Sequence, residues 1–126
     1  MTHTGWQIST LQNPEIIQLE IYGPFSEQNT ISALSETLAL ARTQKIDKVL
    51  IDKRRTVKLS LHDQGNPLDG LIYQLVCGQS KRTALLFSVQ QRGSDSVLGL
   101  MQDQMAQPER LHCFFDRDQA LRWLAE

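Results

Sequence analysis

The segment Asn66 to Gly78, Asn-Pro-Leu-Asp-Gly-Leu-Ile-Tyr-Gln-Leu-Val-Cys-Gly, places Leu68, Leu71, Ile72, Leu75 and Val76 at i, i+3, i+4, i+7 and i+8. That is the spacing of one helix face, so the segment predicts a helix with one dry side. Asn66 caps its start, Pro67 occupies the first helical position where a missing N–H costs nothing, and Gly78 is its stop. Burying five such side chains contributes on the order of 10 kcal/mol before ordering costs. The face needs a surface, and the apolar runs on either side of it are Val49-Leu50-Ile51 and Ala84-Leu85-Leu86-Phe87. Val49-Leu50-Ile51 is too short for a helix and rich in strand formers. A helix laid across a sheet follows, and the remaining segments are placed around it.

Upstream, Trp6, Ile8 and Thr10 alternate with polar residues, as do Ile17, Leu19 and Ile21 after Gln12-Asn13-Pro14. Two half-buried strands joined by a tight turn are expected, antiparallel to each other. Gly23-Pro24 ends the second strand. Ser26 then caps a helix with Ile31, Leu34, Leu38 and Ala41 inward and Glu27 in its first turn, running to about Thr43. Val49-Leu50-Ile51 predicts a strand parallel to the second. Thr56 to Leu61 alternates with period two and reads as a short edge strand or as an extended lead-in to the Asn66 helix.

Downstream, Ala84-Leu85-Leu86-Phe87-Ser88-Val89 is nearly continuous in apolar character, the mark of a central strand covered on both faces. Gly93-Ser94-Asp95 starts a helix with Val97, Leu98, Met101 and Met105 inward, closed by Pro108. Leu111 to Phe115 is the last strand. Asp116-Arg117-Asp118-Gln119 has the form of a capping box ahead of Ala120, Leu121 and Leu124. Strands alternating with helices predict an α/β fold: a mixed, mostly parallel sheet of four to five strands packed with helices, the first strand alone antiparallel.

A chain of 126 residues suits one domain, residues 1–126, with no repeat or linker. Its 40% hydrophobic and 21% charged content is ordinary for a globular protein, and a net charge of −1 gives no global field to draw in nucleic acid. No apolar run approaches the ~20 residues of a membrane helix, and Met1 to Gly5 lacks the features of a secretory signal, so a cytoplasmic protein with no integral membrane segment is expected. Cys77 and Cys113 fit neither a redox nor a metal-ligand spacing and read as reduced core thiols. No metal site and no cofactor motif is expected.

Several segments together resemble the STAS-like family: Leu19-Glu20-Ile21-Tyr22-Gly23-Pro24-Phe25, Lys48-Val49-Leu50-Ile51-Asp52, and the closing Phe114-Phe115-Asp116-Arg117-Asp118-Gln119-Ala120-Leu121-Arg122-Trp123-Leu124. This is the fold of sulfate transporter domains and anti-sigma factor antagonists, with freestanding bacterial members. The resemblance implies a non-catalytic regulatory module that binds a protein partner, with a homodimer left open. Some members are switched by phosphorylation of a serine at the start of the helix after the Val-Leu-Ile-Asp type strand. Here that place reads His62-Asp63-Gln64-Gly65-Asn66-Pro67, without serine, and Ser60 is the nearest hydroxyl.

In open α/β sheets ligands sit outside the carboxyl ends of the strands, which here deliver Asp52-Lys53-Arg54-Arg55 and Ser88 to Ser94. If the two strands are neighbours, Arg54 or Arg55 and Arg92 flank the helix start at Ser94, where free N–H groups favour a phosphate or carboxylate. A small-ligand sensor, for an anion or, through Met101 and Met105, a lipid-like molecule, is the alternative function. The plainer reading makes Lys53, Arg54 and Arg55 a solvated turn balanced by Asp52 and Asp63. An enzyme would have to be built on His62 beside Asp63, with no nucleophile elbow near it. Tyr22 and Trp123 are the amphipathic side chains expected at the surface, Trp123 packing the last helix on the sheet.

Overall fold

The computed structural model describes residues 5–12, 15–24, 27–57, 81–91 and 109–126. Alternating apolar residues in Gly5–Leu11 (β1) and Ile16–Pro24 (β2) pair antiparallel without irregularity, from Gly5 opposite Tyr22 to Leu11 opposite Ile16. The helix Glu27–Gln44 (α1) follows, then Lys48–Val57 (β3), Arg82–Leu86 (β4) and Leu111–Phe114 (β5), and the chain closes with Arg117–Ala125 (α2). The five strands lie in sequence order, and every pair after the first is parallel. This is the mixed, mostly parallel α/β sheet expected from the sequence, with β1 the antiparallel member. The Asn66 helix, the Ser94 helix, Ser26 and the rest of the Thr56 to Leu61 run beyond Val57 lie outside the described residues.

Side chains of successive strand residues point to opposite faces. On one face Leu19, Ile21, Val49, Ile51, Leu85, Phe87, Leu111 and Cys113 form a buried cluster with Ala33 and Leu34 of α1. On the other, Ile16, Leu50, Ala84, Leu86 and Phe114 meet Ala120 and Leu124 of α2. Cys113 is a reduced, buried thiol, as expected. The expected inner face of α1 is displaced: Leu34 and Ala41 are buried, but Thr30, Ala33 and Thr37 join them and Ile31 is only half-buried. Small residues let the helix approach the sheet closely, and Thr37 satisfies its hydroxyl by donating to the Ala33 carbonyl at 2.8 Å.

Three boundaries differ from the sequence expectation. The strand begun at Val49 does not stop at Ile51; Asp52 to Val57 continue it, so neither a turn at Lys53 to Arg55 nor a separate strand beginning at Thr56 exists. β4 ends at Leu86, and Val89, expected in the strand, opens the short 3-10 turn Val89–Gln91 and is 66% exposed. Asp116 caps α2 as expected, but its carboxylate accepts from the N–H of Asp118 at 2.8 Å, one residue earlier than a capping box uses.

Candidate functional site

Arg54 and Arg55, singled out from the sequence, sit where the pairing of β2 with β3 is irregular. Glu20 lies opposite Asp52 and Tyr22 opposite Arg55, so β3 carries one more residue than β2 across this step. Such a bulge breaks the alternation of side chains. Lys53 is buried on the α1 side, its ammonium 5.9 Å from the centre of the Phe87 ring. Arg54 and Arg55 then both reach groups of the opposite face: Arg54 binds Asp52, and Arg55 binds Glu20 and covers Tyr22. Without the extra residue, consecutive arginines would point to opposite sides of the sheet.

Two carboxylates directly opposed on neighbouring strands repel each other. Here each is neutralised by its own arginine. The Nε of Arg54 donates to Oδ1 of Asp52 at 3.1 Å and its Nη2 to Oδ2 at 2.9 Å, while the Arg54 backbone N–H donates to the same Oδ1 at 3.0 Å. The hydrogen bond to Asp52 and the charges of Asp52 and Glu20 raise the Arg54 pKa above its ordinary value, against a smaller opposing effect of burial, so the guanidinium stays charged. Arg55 donates from Nη1 to Oε1 of Glu20 at 2.8 Å, and its guanidinium carbon lies 5.3 Å from the Tyr22 ring centre. Tyr22 in turn lies across Gly5, where a Cβ would stand 2.8 Å from its hydroxyl oxygen. The Arg55 side chain is 70% exposed against 5% for Asp52, so the outermost layer is an arginine stacked on a tyrosine over buried supports.

β4 ends opposite Asp52, so among the described residues the outer part of β3 has no strand on that side. Gln91 takes its place: its Nε2 donates to the carbonyls of Lys53 at 2.9 Å and Thr56 at 3.1 Å, and its Oε1 accepts from the N–H of Ser88 at 2.7 Å. Thr56 donates from its hydroxyl to the Ile21 carbonyl at 2.9 Å. The bulge is thus fixed from both neighbours. β3 and β4 are neighbours, as expected, although β3 runs five residues past the end of β4; Arg92, Ser94, Ser60 and His62 lie outside the described residues. Tyr22 was expected at the surface, but sequence reasoning assigned no site role to it, to Glu20 or to Gln91. The first two are ordinary members of an alternating strand, and Gln91 differs in no local way from Gln90.

A second cluster gathers at the far end of the sheet. His112 stacks against Phe114 with ring centres 4.4 Å apart and lies 5.5 Å from Trp123, whose ring also receives the Arg82 guanidinium at 5.0 Å. Arg82 donates to the Trp123 carbonyl and pairs with Glu126 at 3.8 Å. Trp123 therefore packs α2 on the sheet, as expected, and leaves a shallow depression lined by Gln119, Arg122, Trp123 and Glu126. Burial lowers the His112 pKa from its ordinary value. Among the described residues no group of three or more His, Cys, Asp or Glu is placed to hold a metal ion, and no helix is long and apolar enough to cross a membrane.

No family model matches the chain, and no curated protein matches it at a significant level. Among solved structures it is similar to an uncharacterised protein of the DUF3478 family from Shewanella loihica PV-4, described as having a SpoIIAA-like fold. The two are 22% identical over 98% of this chain and 97% of that one, with a TM-score of 0.61. The fold is SpoIIAA-like. This is the STAS-like architecture that the strand-glycine and Ala-x-x-Trp-Leu segments pointed to. Within the SpoIIAA-like sheet, the paired arginines and Tyr22 belong to this chain's own β2 and β3.

Proposed function

We propose that this chain is a non-catalytic cytoplasmic regulatory module that binds a protein partner at the rim where β2 and β3 end. The observation that carries the reading is the Arg55 and Tyr22 stack, exposed yet held on a bulge whose every support is bonded from beneath. Tyrosine and arginine are the side chains on which interface energy concentrates, and a pre-ordered pair loses little rotamer freedom when a partner arrives. The SpoIIAA-like fold supports a protein-binding role as well. Because Asp52 and Glu20 already neutralise both guanidinium groups, the rim suits an uncharged or mixed-charge protein surface better than a bare anion. Ser60, three residues after β3 in sequence, is the hydroxyl through which phosphorylation would regulate this binding.

The test is a quantitative binding comparison. A partner captured with the wild-type chain should lose affinity roughly tenfold or more on Tyr22→Ala and on Arg55→Glu by calorimetry. A partner that binds both variants as tightly as wild type would remove the rim from the interface.

A second reading has one specific support. Gln91 ties the residue immediately before Arg92 to β3, which favours Arg54, Arg55, Arg92 and Ser94 as an anion-binding rim. Phosphate, sulfate and small carboxylates should then raise the melting temperature in proportion to concentration, and Arg92→Ala should abolish the rise. An unchanged melting temperature across that series would leave protein binding as the function.

A further inference from the structure

β1 is the outermost strand of the described sheet, paired with β2 along its whole length and with no strand on its other side among the described residues. An edge of this kind presents alternate N–H and C=O groups to solvent, and proteins protect such edges with charges, prolines, bulges or very short strands. β1 has none of these protections. Its seven residues, Gly-Trp-Gln-Ile-Ser-Thr-Leu, carry no charge and no proline, and its register is regular throughout.

The strand is also symmetric about its middle. Its burial runs half-buried, half-buried, exposed, half-buried, exposed, half-buried, half-buried, the same read from either end, with Ile8 at the centre. Trp6 and Ile8, packed only in part against the core, lie on the α1 face, and Leu40 of α1 adds a further half-covered apolar side chain beside Ile8. The strip is held in place: Trp6 Nε1 donates to Oε2 of Glu36 at 2.6 Å, and the Thr10 hydroxyl donates to the Gln44 side-chain oxygen at 3.4 Å.

We propose that the chain forms a homodimer by antiparallel pairing of β1 with β1 of a second copy, about a two-fold axis at Ile8. Ile8 then faces Ile8 of the partner subunit, Trp6 faces Thr10 of the partner subunit, and Gln7 faces Ser9 of the partner subunit. Each apolar position meets an apolar or hydroxyl-bearing one and each polar position a polar one, with no charge opposed. A two-fold axis normal to the sheet keeps both α1 helices on the same side, so the Ile8 and Leu40 strips of the two copies join into one covered surface, and the five-stranded sheets become one of ten strands.

Sedimentation velocity over a concentration series tests this, using charges placed at the two exposed positions of β1. Gln7→Lys combined with Ser9→Lys sets lysine against lysine twice across the axis and should weaken the dimer roughly tenfold or more. Gln7→Lys combined with Ser9→Glu sets lysine against glutamate twice and should return the dimer to wild-type strength. Both pairs lie on an exposed strand surface, and circular dichroism checks that each variant folds. A wild-type chain that stays monomeric throughout overturns the proposal. So does a dimer that the lysine pair leaves untouched, or one that both pairs weaken alike; a monomer whose β1 captures a strand of another protein does the same.

Discussion

Arg54 and Arg55 are adjacent in sequence and differ in every respect that determines energy. Arg54 closes a two-pronged contact on a carboxylate that is almost wholly buried, whereas Arg55 reaches a partly exposed glutamate from open solvent. Removing Arg54 leaves Asp52 buried without its main donors, so Arg54→Ala should destabilise the fold by about 1–2 kcal/mol, while Arg55→Ala should cost less than about 1 kcal/mol. Urea midpoints for the two variants check the contrast. His112 gives a pH dependence with a definite sign. Its folded pKa lies below the unfolded value of about 6.5, so its contribution is fully present above that value and is lost as pH falls from there through the folded pKa. The melting temperature should therefore fall more steeply on acidification below about pH 6.5 in the wild type than in His112→Gln, with Trp123 fluorescence reporting the same titration. Neither arginine's role was legible in the sequence, where Asp52 to Arg55 is only a short run of charges. Which carboxylate each one meets depends on a partner strand and on a bulge between them.

Among the elements, α1 ends in a way that its sequence conceals. Lys45 takes the left-handed conformation at φ 57°, and the Ile46 N–H returns to the Ala41 carbonyl at 3.0 Å, while Ile46 packs on Ala41 and Ile17. This is the helix stop that usually falls to glycine, made here by a lysine held in place by the packing of Ile46. Lys45→Gly should accordingly stabilise the protein by up to about 1 kcal/mol, read as an upward shift in melting temperature, because the strain of a side chain in that region is removed. Gly23, by contrast, is where its backbone requires it: at φ 88° near the end of β2 it takes a conformation that side chains rarely adopt. The helices and strands themselves were legible wherever burial follows a local period, as in Ile17, Leu19 and Ile21 or in Ala120 and Leu124. Their ends were less so. β3 runs six residues past Ile51 because β2 and Gln91 supply its hydrogen bonds, and both partners lie more than thirty residues away.

At the scale of the whole molecule, among the described residues α1 packs on one face of the sheet and the nine-residue α2 on the other. Leu124, near the end of α2, is fully buried with Leu50, Leu86 and Phe114, so Leu124→Ala should cost about 3 kcal/mol by the cavity it leaves, measured as a lowered urea midpoint. The SpoIIAA-like assignment rests on the likeness to the Shewanella loihica structure. Among the described residues, the sequence by itself determined where the strands and helices lie to within their ends, that β1 opposes β2, and that the later strands run parallel, because hydrophobic period and turn residues act over a few positions. Only the tertiary structure decided that Arg54 and Arg55 share a face, that Tyr22 lies under one of them, and that Gln91 secures the bulge. A strand's two sides are interchanged by a single extra residue, and whether that residue is accommodated is settled by the neighbouring strands.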